Sequence, residues 1–450
     1  MKKNFLYFLT LFITIICLFI CIILNDHIYD FNSNNVIKNI KYLSSSSFEG
    51  RVAGSDENSL VSEIIKNKFK DLNLSPYKNS YSEDFYSTCP VRTNESIYFK
   101  IFNDNESEFL KYNEDYKEDM INFKNNTFTF SNKDKITIFS TSIEVSCSDG
   151  TLLFYVAKDD DLSFRSSFMS ELRFDLVIAL SSSGYNKIIE GLKSGKTLTT
   201  YIPFENKDMK LTNVLGVING SDSSLAPLIL TAHYDHLGCD SQDNIYYGAL
   251  DNASGTSFLL ELASTLASYG KPERTIIFVA LNAEELGLKG SSFFVENNYF
   301  DIKNAQVINF DMIGGSNVPI TFIQGTNFKD KSSNLLTSLS KICTSNSIDF
   351  ITEYENSSDH ASFNELGIDA VSICHSDKSH IHTPSDTVEY IDGNAINTVY
   401  KVVNKEIKKD CYNDVTTFIY SKKSINLFLI ILLTEIIIGI LNSKPFKNAN

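Results

Sequence analysis

Four short, largely apolar runs, each ending in residues that can hold a metal or move a proton, constrain this chain most. Leu228 to Ala232 runs into His233, Tyr234, Asp235 and His236. Thr275 to Leu281 runs into Asn282, Ala283, Glu284 and Glu285, and Gln306 to Phe310 runs into Asp311. Ala370 to Cys374 enters the stretch His375 to Asp386, which contains His382. Runs apolar along their whole length suit strands covered on both faces. Helical patterns lie between them. Phe258, Leu259, Leu262 and Leu266 share one face of a helix closed by Gly270 and Pro272, and Leu335 to Ile342 suits another. Such alternation predicts an α/β fold, and open α/β sheets place their sites at the carboxyl ends of strands.

Five positions could share one site: His233, Asp251, Glu285, Asp311 and His382. Asp251 differs from the others in preceding a helix rather than following a strand. Two imidazoles and three carboxylates can hold two divalent ions if one carboxylate bridges them. Nitrogen and oxygen donors without thiolate suit zinc, cobalt or manganese. The eight cysteines are scattered with no paired C-x-x-C spacing, so neither a cysteine-ligated zinc nor a redox motif is expected. Two ions in one site can polarise a carbonyl and activate water. Glu284 can face water while its neighbour faces metal, and Asp235 can fix the tautomer of His233. Each motif alone has a plainer reading: a polar loop, a solvated Glu-Glu pair, a capped turn at His382 to Asp386. Their shared placement in one α/β segment carries the case.

The remainder sets the context. A formal net charge of −15 and a pI near 5.0 argue against a nucleic-acid partner. Lys2 and Lys3 precede the uncharged, mostly apolar run Phe5 to Leu24, long enough to span a bilayer, so residues 1–25 are read as an anchor. Residues 424–442 form a second candidate span, with Glu435 counting against it and Lys444 and Lys447 following. Gly50 and Gly54 mark a tight loop around Arg51, whose plain reading is a solvated cation. Residues 87–211 carry short β-type runs (Ser96–Ile101, Thr127–Phe130, Lys135–Phe139, Thr151–Val156, Leu176–Leu180) between Asn-rich loops, without clusters that bear chemistry.

The ordered motifs A-H-Y-D-H, D-N-A-S-G, N-A-E-E-L-G, F-D-M-I-G, S-D-H and I-H-T-P-S-D-T closely resemble the di-zinc aminopeptidase family. That family includes bacterial leucyl-type aminopeptidases, with glutamate carboxypeptidases and glutaminyl cyclases as relatives. F-E-G-R-V-A-G-S-D-E-N resembles the segment that opens many members' catalytic domain. The resemblance implies a mixed, largely parallel sheet flanked by helices, built from residues 43–86 and 212–410. Residues 87–211 fall where many members carry a protease-associated domain. It implies two metal ions, zinc above all, with His233 and Asp311 on one, Glu285 and His382 on the other, and Asp251 bridging. Glu284 would be the general base and Asp235 the partner of His233. Where some members carry an oxyanion-stabilising tyrosine, this chain has Ile381, so His360 is a candidate for the oxyanion or substrate. His236, His375 and His380 are read as bystanders. The implied activity is removal of N-terminal residues from peptides by an enzyme anchored in the cell membrane with its catalytic domain outside. The alternatives are a carboxypeptidase, with Arg51 as the visible cation, a glutaminyl cyclase, or a non-catalytic receptor-like domain.

Overall fold

The computed structural model describes residues 2–443. An eight-stranded mixed sheet runs in the order Ser82–Arg92, Phe204–Ile218, Ile276–Leu281, Leu228–His233, Gln306–Phe310, Asp369–Cys374, Ile320–Gln324, Phe350–Tyr354. Its four central strands, Ile276–Leu281 through Asp369–Cys374, are parallel neighbours. They are the four apolar runs seen in the sequence, and their shared direction brings all four polar continuations to one edge.

Alternate residues explain why these strands are apolar throughout. Leu228, Leu230 and Ala232 join a core with Phe278, Ala280, Ile308 and Phe310 on one face. The helices Gly255–Ala267, Asn334–Ser345 and Gly393–Cys411 cover that face. Ile229, Ile277, Val279 and Val307 pack on the other face against Phe294 and Val295 of the helix Lys289–Ile302. Burial of a Leu, Ile or Phe side chain contributes about 1.5–3 kcal/mol.

Strands Ser82–Arg92 and Phe204–Ile218 pair antiparallel from Ser82↔Val214 to Arg92↔Phe204, a ribbon that leaves the sheet and crosses residues 87 and 211. It carries two further sheets. One has four strands (Ser107–Phe109, Tyr98–Phe102, Thr197–Tyr201, Thr127–Phe130), and the other has five. The five are Tyr116–Phe123, Leu176–Leu180, Gly150–Val156, Ser142–Cys147 and Lys135–Ile138. The sequence reading anticipates strands near five of these runs. It misses Tyr116–Phe123, where Lys117, Glu118, Asp119 and Asn122 are buried polar groups that mask a strand. It also misses the helix Ser182–Lys193, capped by the Ser181 side chain accepting from Gly184 N–H. All eight cysteines are free.

The helices Lys2–Asp26 and Lys422–Ser443 lie side by side. Tyr7 Oη donates to the Glu435 carbonyl at 3.1 Å, and Asn25 Nδ2 donates to the Ile419 carbonyl at 2.9 Å, so the two run antiparallel. Phe5–Asp26 and Lys422–Leu441 are long and apolar enough to cross a membrane. The second helix passes through Glu435 without a break. Lys444 and Lys447 lie outside the described residues.

Candidate metal centre

The carboxylate of Asp251 lies between two pairs of donors. Its Oδ1 is 3.5 Å from His233 Nε2, which is also 3.5 Å from Asp311 Oδ1. Its Oδ2 is 3.1 Å from His382 Nε2, which is 3.4 Å from Glu285 Oε1. Ligands ~2.0–2.2 Å from one tetrahedral ion lie ~3.3–3.6 Å from each other, so each group has the spacing of a shared ion.

The fit shows in atoms left without partners. Both ring nitrogens of His233 and Oδ1 of Asp311 are buried and make no hydrogen bond. Buried polar atoms are nearly always paired, and a cation between His233 Nε2 and Asp311 Oδ1 would satisfy both, while His233 Nδ1 faces Asp235 at 3.6 Å. The charge balance agrees. Burial works against a charged His233, yet Glu284, Asp235 and Asp311 hold its imidazole well above the usual range. His382 is likewise held up at about 10 against burial, by Glu285 and then Asp251. Carboxylates crowded around two imidazoles form a site that favours positive charge.

The local chain explains the placement. His233 ends its strand, and Asp235 follows in the loop. Asp235 lies 3.6 Å from His233 Nδ1, just beyond hydrogen-bond length. Its two oxygens instead accept the backbone N–H groups of Glu284 and Glu285, each at 3.1 Å, which fixes that loop. The strand's companion Ile276–Leu281 delivers this pair, and Ala283 just before it has a left-handed φ of 61°. Met312 and His382 also have left-handed φ, of 57° and 59°, so a non-glycine residue with unfavourable backbone geometry lies within one position of Glu284, Asp311 and His382 themselves. The Asp251–Asn252 peptide is cis.

Glu284 and Glu285 part company as adjacent residues. Glu285 is buried among the donors. Glu284 is half-buried and lines a cavity of about 380 Å³ together with Asp251, Asp311, His382 and Met312. Burial first, and then the Glu285, Asp359 and Asp311 carboxylates, push the Glu284 carboxyl well above the usual range, opposed by His233.

Several placements differ from the sequence reading. Arg51 is no solvated cation. It is 1% exposed and donates to the carbonyls of Tyr234, Tyr247, Gly248, Leu43 and Asp251. Its five contacts tie the opening loop to both halves of the site, so it is not free for a substrate carboxylate. His360 is buried, with Nδ1 2.8 Å from Ser372 Oγ and Nε2 2.8 Å from the Glu355 carbonyl. It does not line the cavity, and this placement lends no support to an oxyanion or substrate contact. His236 is no bystander: its Nδ1 lies 3.1 Å from Glu285 Oε1 in a fully buried position. His375 accepts the Gly314 N–H, and His380 stacks on Tyr390.

Other contributors had weak signals or none. Asp386 accepts from Leu250 N–H at 2.8 Å and Asp251 N–H at 3.0 Å, and burial pushes it up to about 7. Its place four residues after His382 was the available clue. Ser358 donates to Asp311 Oδ2 at 2.7 Å, and Ser167 to Glu285 Oε2 at 2.5 Å. Ser167 comes from the loop joining strands Gly150–Val156 and Leu176–Leu180 of the five-stranded sheet and had no signal.

Residues 213–407 match the sequence profile of Peptidase family M28. Aminopeptidase YwaD of Bacillus subtilis is 32% identical over 215 residues, 44% of this chain and 46% of its own length. A vacuolar membrane protease of Candida tropicalis is 34% identical over 143 residues, 28% of this chain and 15% of its own length. The chain thus spans less than half the length of these curated relatives. A solved structure of a zinc aminopeptidase from Bacillus subtilis has the same fold, with a TM-score of 0.59 at 18% identity over 86% of this chain and 97% of its own. Residues 213–407, the region similar to Peptidase family M28, contain all five donor residues.

Proposed function

We propose that the protein is a membrane-anchored di-zinc aminopeptidase. The observation that carries this is one carboxylate, Asp251, shared between His233 with Asp311 and His382 with Glu285, beside a cavity that Glu284 faces. Ions held by these five residues would supply Lewis-acid polarisation of the scissile carbonyl and acidify a water. Glu284 accepts the proton of that water and passes it to the leaving amine. A carboxyl that burial and neighbouring carboxylates hold well above its usual range suits a group that both takes and returns a proton. Asp235 keeps Glu284 aimed at the cavity through the backbone N–H it accepts. Asp386 holds the backbone of Asp251, and Ser358 orients Asp311.

The curated relative YwaD is named an aminopeptidase, which supports removal of N-terminal residues. A carboxypeptidase would need a cation for the substrate's carboxylate, and Lys378 lines the cavity. The substrates therefore decide. Purified protein should contain two divalent ions per chain and cleave aminoacyl-anilides while sparing N-blocked peptides. Cleavage of N-blocked peptides from their C-terminus, with anilides untouched, would reverse the assignment.

The paired terminal helices support anchoring in a membrane. Lys2 and Lys3 ahead of the apolar run that begins at Phe5 favour retention of that end inside, with the peptidase domain outside. Protease treatment of intact cells should then release the domain; cleavage only after lysis would show the opposite orientation.

A further inference from the structure

The loop between strands Gly150–Val156 and Leu176–Leu180 belongs to the five-stranded sheet, far from the metal donors in sequence. It nevertheless reaches them. Ser167 Oγ donates to Glu285 Oε2 at 2.5 Å, and Phe168 N–H donates to the Glu285 carbonyl at 2.7 Å. Arg165 pairs with His382 through the backbone in both directions. Its N–H donates to the His382 carbonyl at 2.9 Å, and its own carbonyl lies 3.1 Å from His382 Nδ1. The Phe164 ring stacks on the His382 imidazole at 5.6 Å and 21°. All these contacts fall on Glu285 and His382. His233 and Asp311 receive none of them.

The chemistry of each contact is definite. A backbone carbonyl can only accept, so Nδ1 of His382 carries a proton, and Nε2, toward Asp251 and Glu285, is the nitrogen that can bind a metal. Ser167 occupies one oxygen of Glu285, and His236 lies against the other. The segment itself is anchored. The guanidinium of Arg165 is 1% exposed, donates to the carbonyls of Leu237 and Cys239, and lies over the rings of Phe204 and Tyr246. Nearby, Glu118 accepts the Ser241 N–H at 2.9 Å, so the same catalytic-side loop is gripped twice.

We infer that the inserted β domain completes one half of the metal centre: its segment Phe164–Phe168 orients Glu285 and His382 and sets the affinity of the ion they hold, while leaving the His233–Asp311 ion untouched. Ser167 is the positioning residue through which this acts. The inference rests on the two-ion reading above. It makes the insert part of the working site and not a separable module.

Metal affinity tests it without reference to turnover. Zinc uptake by the full-length metal-free protein is titrated in competition with a chromophoric chelator. Wild type should show two uptake steps. Loss of a group that orients a metal ligand typically weakens binding ~10–100-fold, so Ser167→Ala should weaken one step by about that factor and leave the other unchanged. Ser167→Thr keeps the hydroxyl and should restore the step. In a Glu285→Gln background, Ser167→Ala should add nothing, because its partner is already altered. Phe164→Ala should weaken the same step. Unchanged affinities in Ser167→Ala, an equal fall in both steps, or a full Ser167 effect persisting in Glu285→Gln would each overturn the inference. Wild type taking up fewer than two ions would instead sink the two-ion reading beneath it.

Discussion

The α/β sheet and the inserted β domain contribute to the same centre by different means. The sheet supplies side chains at the carboxyl ends of parallel strands: His233, Glu285 and Asp311, with His382 following the last. The insert supplies mainly backbone, the N–H and carbonyl of Arg165 and the N–H of Phe168, with one serine hydroxyl. A strand end fixes a donor's position through the sheet's own ladder, so donor and scaffold are specified together. A loop that reaches across from another sheet must be held by its own anchors, here the buried Arg165. On the reading proposed above, chemistry sits on the sheet and its adjustment on the insert.

The comparison is broken most severely by removing what both pairs share. Asp251→Ala should lose both ions and lower kcat/KM by more than the ~10²–10⁴-fold that a general base is worth. Metal analysis checks this; retention of one tightly held ion would mean that Asp251 does not bridge.

The joint between the two regions comes next. Lys117 of the insert and Asp240 of the catalytic side are 2% and 0% exposed, with 3.5 Å between Nζ and Oδ2. Lys117→Met strands Asp240, whose remaining partners are N–H groups of its own loop. Breaking one partner of such a pair costs ~3–5 kcal/mol. If insert and sheet form one unit, thermal unfolding should remain a single transition at lower temperature. Two separate transitions would show that the insert folds independently.

A smaller effect belongs to the sheet alone. Burial lowers the imidazole of His375 to about 4. Its folded pKa lies below the unfolded value of about 6.5. The neutral form's contribution is therefore complete above pH 6.5 and is lost as pH falls toward 4. At 1.36 kcal/mol per unit the loss is roughly 3 kcal/mol. His375→Asn keeps an acceptor for the Gly314 N–H and should flatten that part of the stability–pH curve. An unchanged slope would assign the acid sensitivity elsewhere.

Legibility in the sequence follows the same division. The four parallel strands were readable because burial on both faces leaves them apolar, and the donors were readable because they follow directly. Tyr116–Phe123 was not, because Lys117, Glu118 and Asp119 are buried by tertiary partners that sequence does not display. Arg51 looked solvated because backbone carbonyls leave no trace in residue identity. His236 was visible but uninterpretable until its distance to Glu285 was known. Ser167 could not have been found, since its role depends on a loop crossing 118 positions of sequence.

The central claim is that two adjacent glutamates divide the work, Glu285 holding metal and Glu284 moving the proton. The most direct measurement is metal content and turnover of Glu284→Gln and Glu285→Gln side by side. Glu284→Gln should keep both ions while kcat falls ~10²–10⁴-fold with KM little changed. Glu285→Gln should lose an ion first and activity as a consequence, with partial recovery in excess metal. If Glu284→Gln strips metal while Glu285→Gln merely slows turnover, the two roles are reversed, and wild-type activity in both would contradict the account.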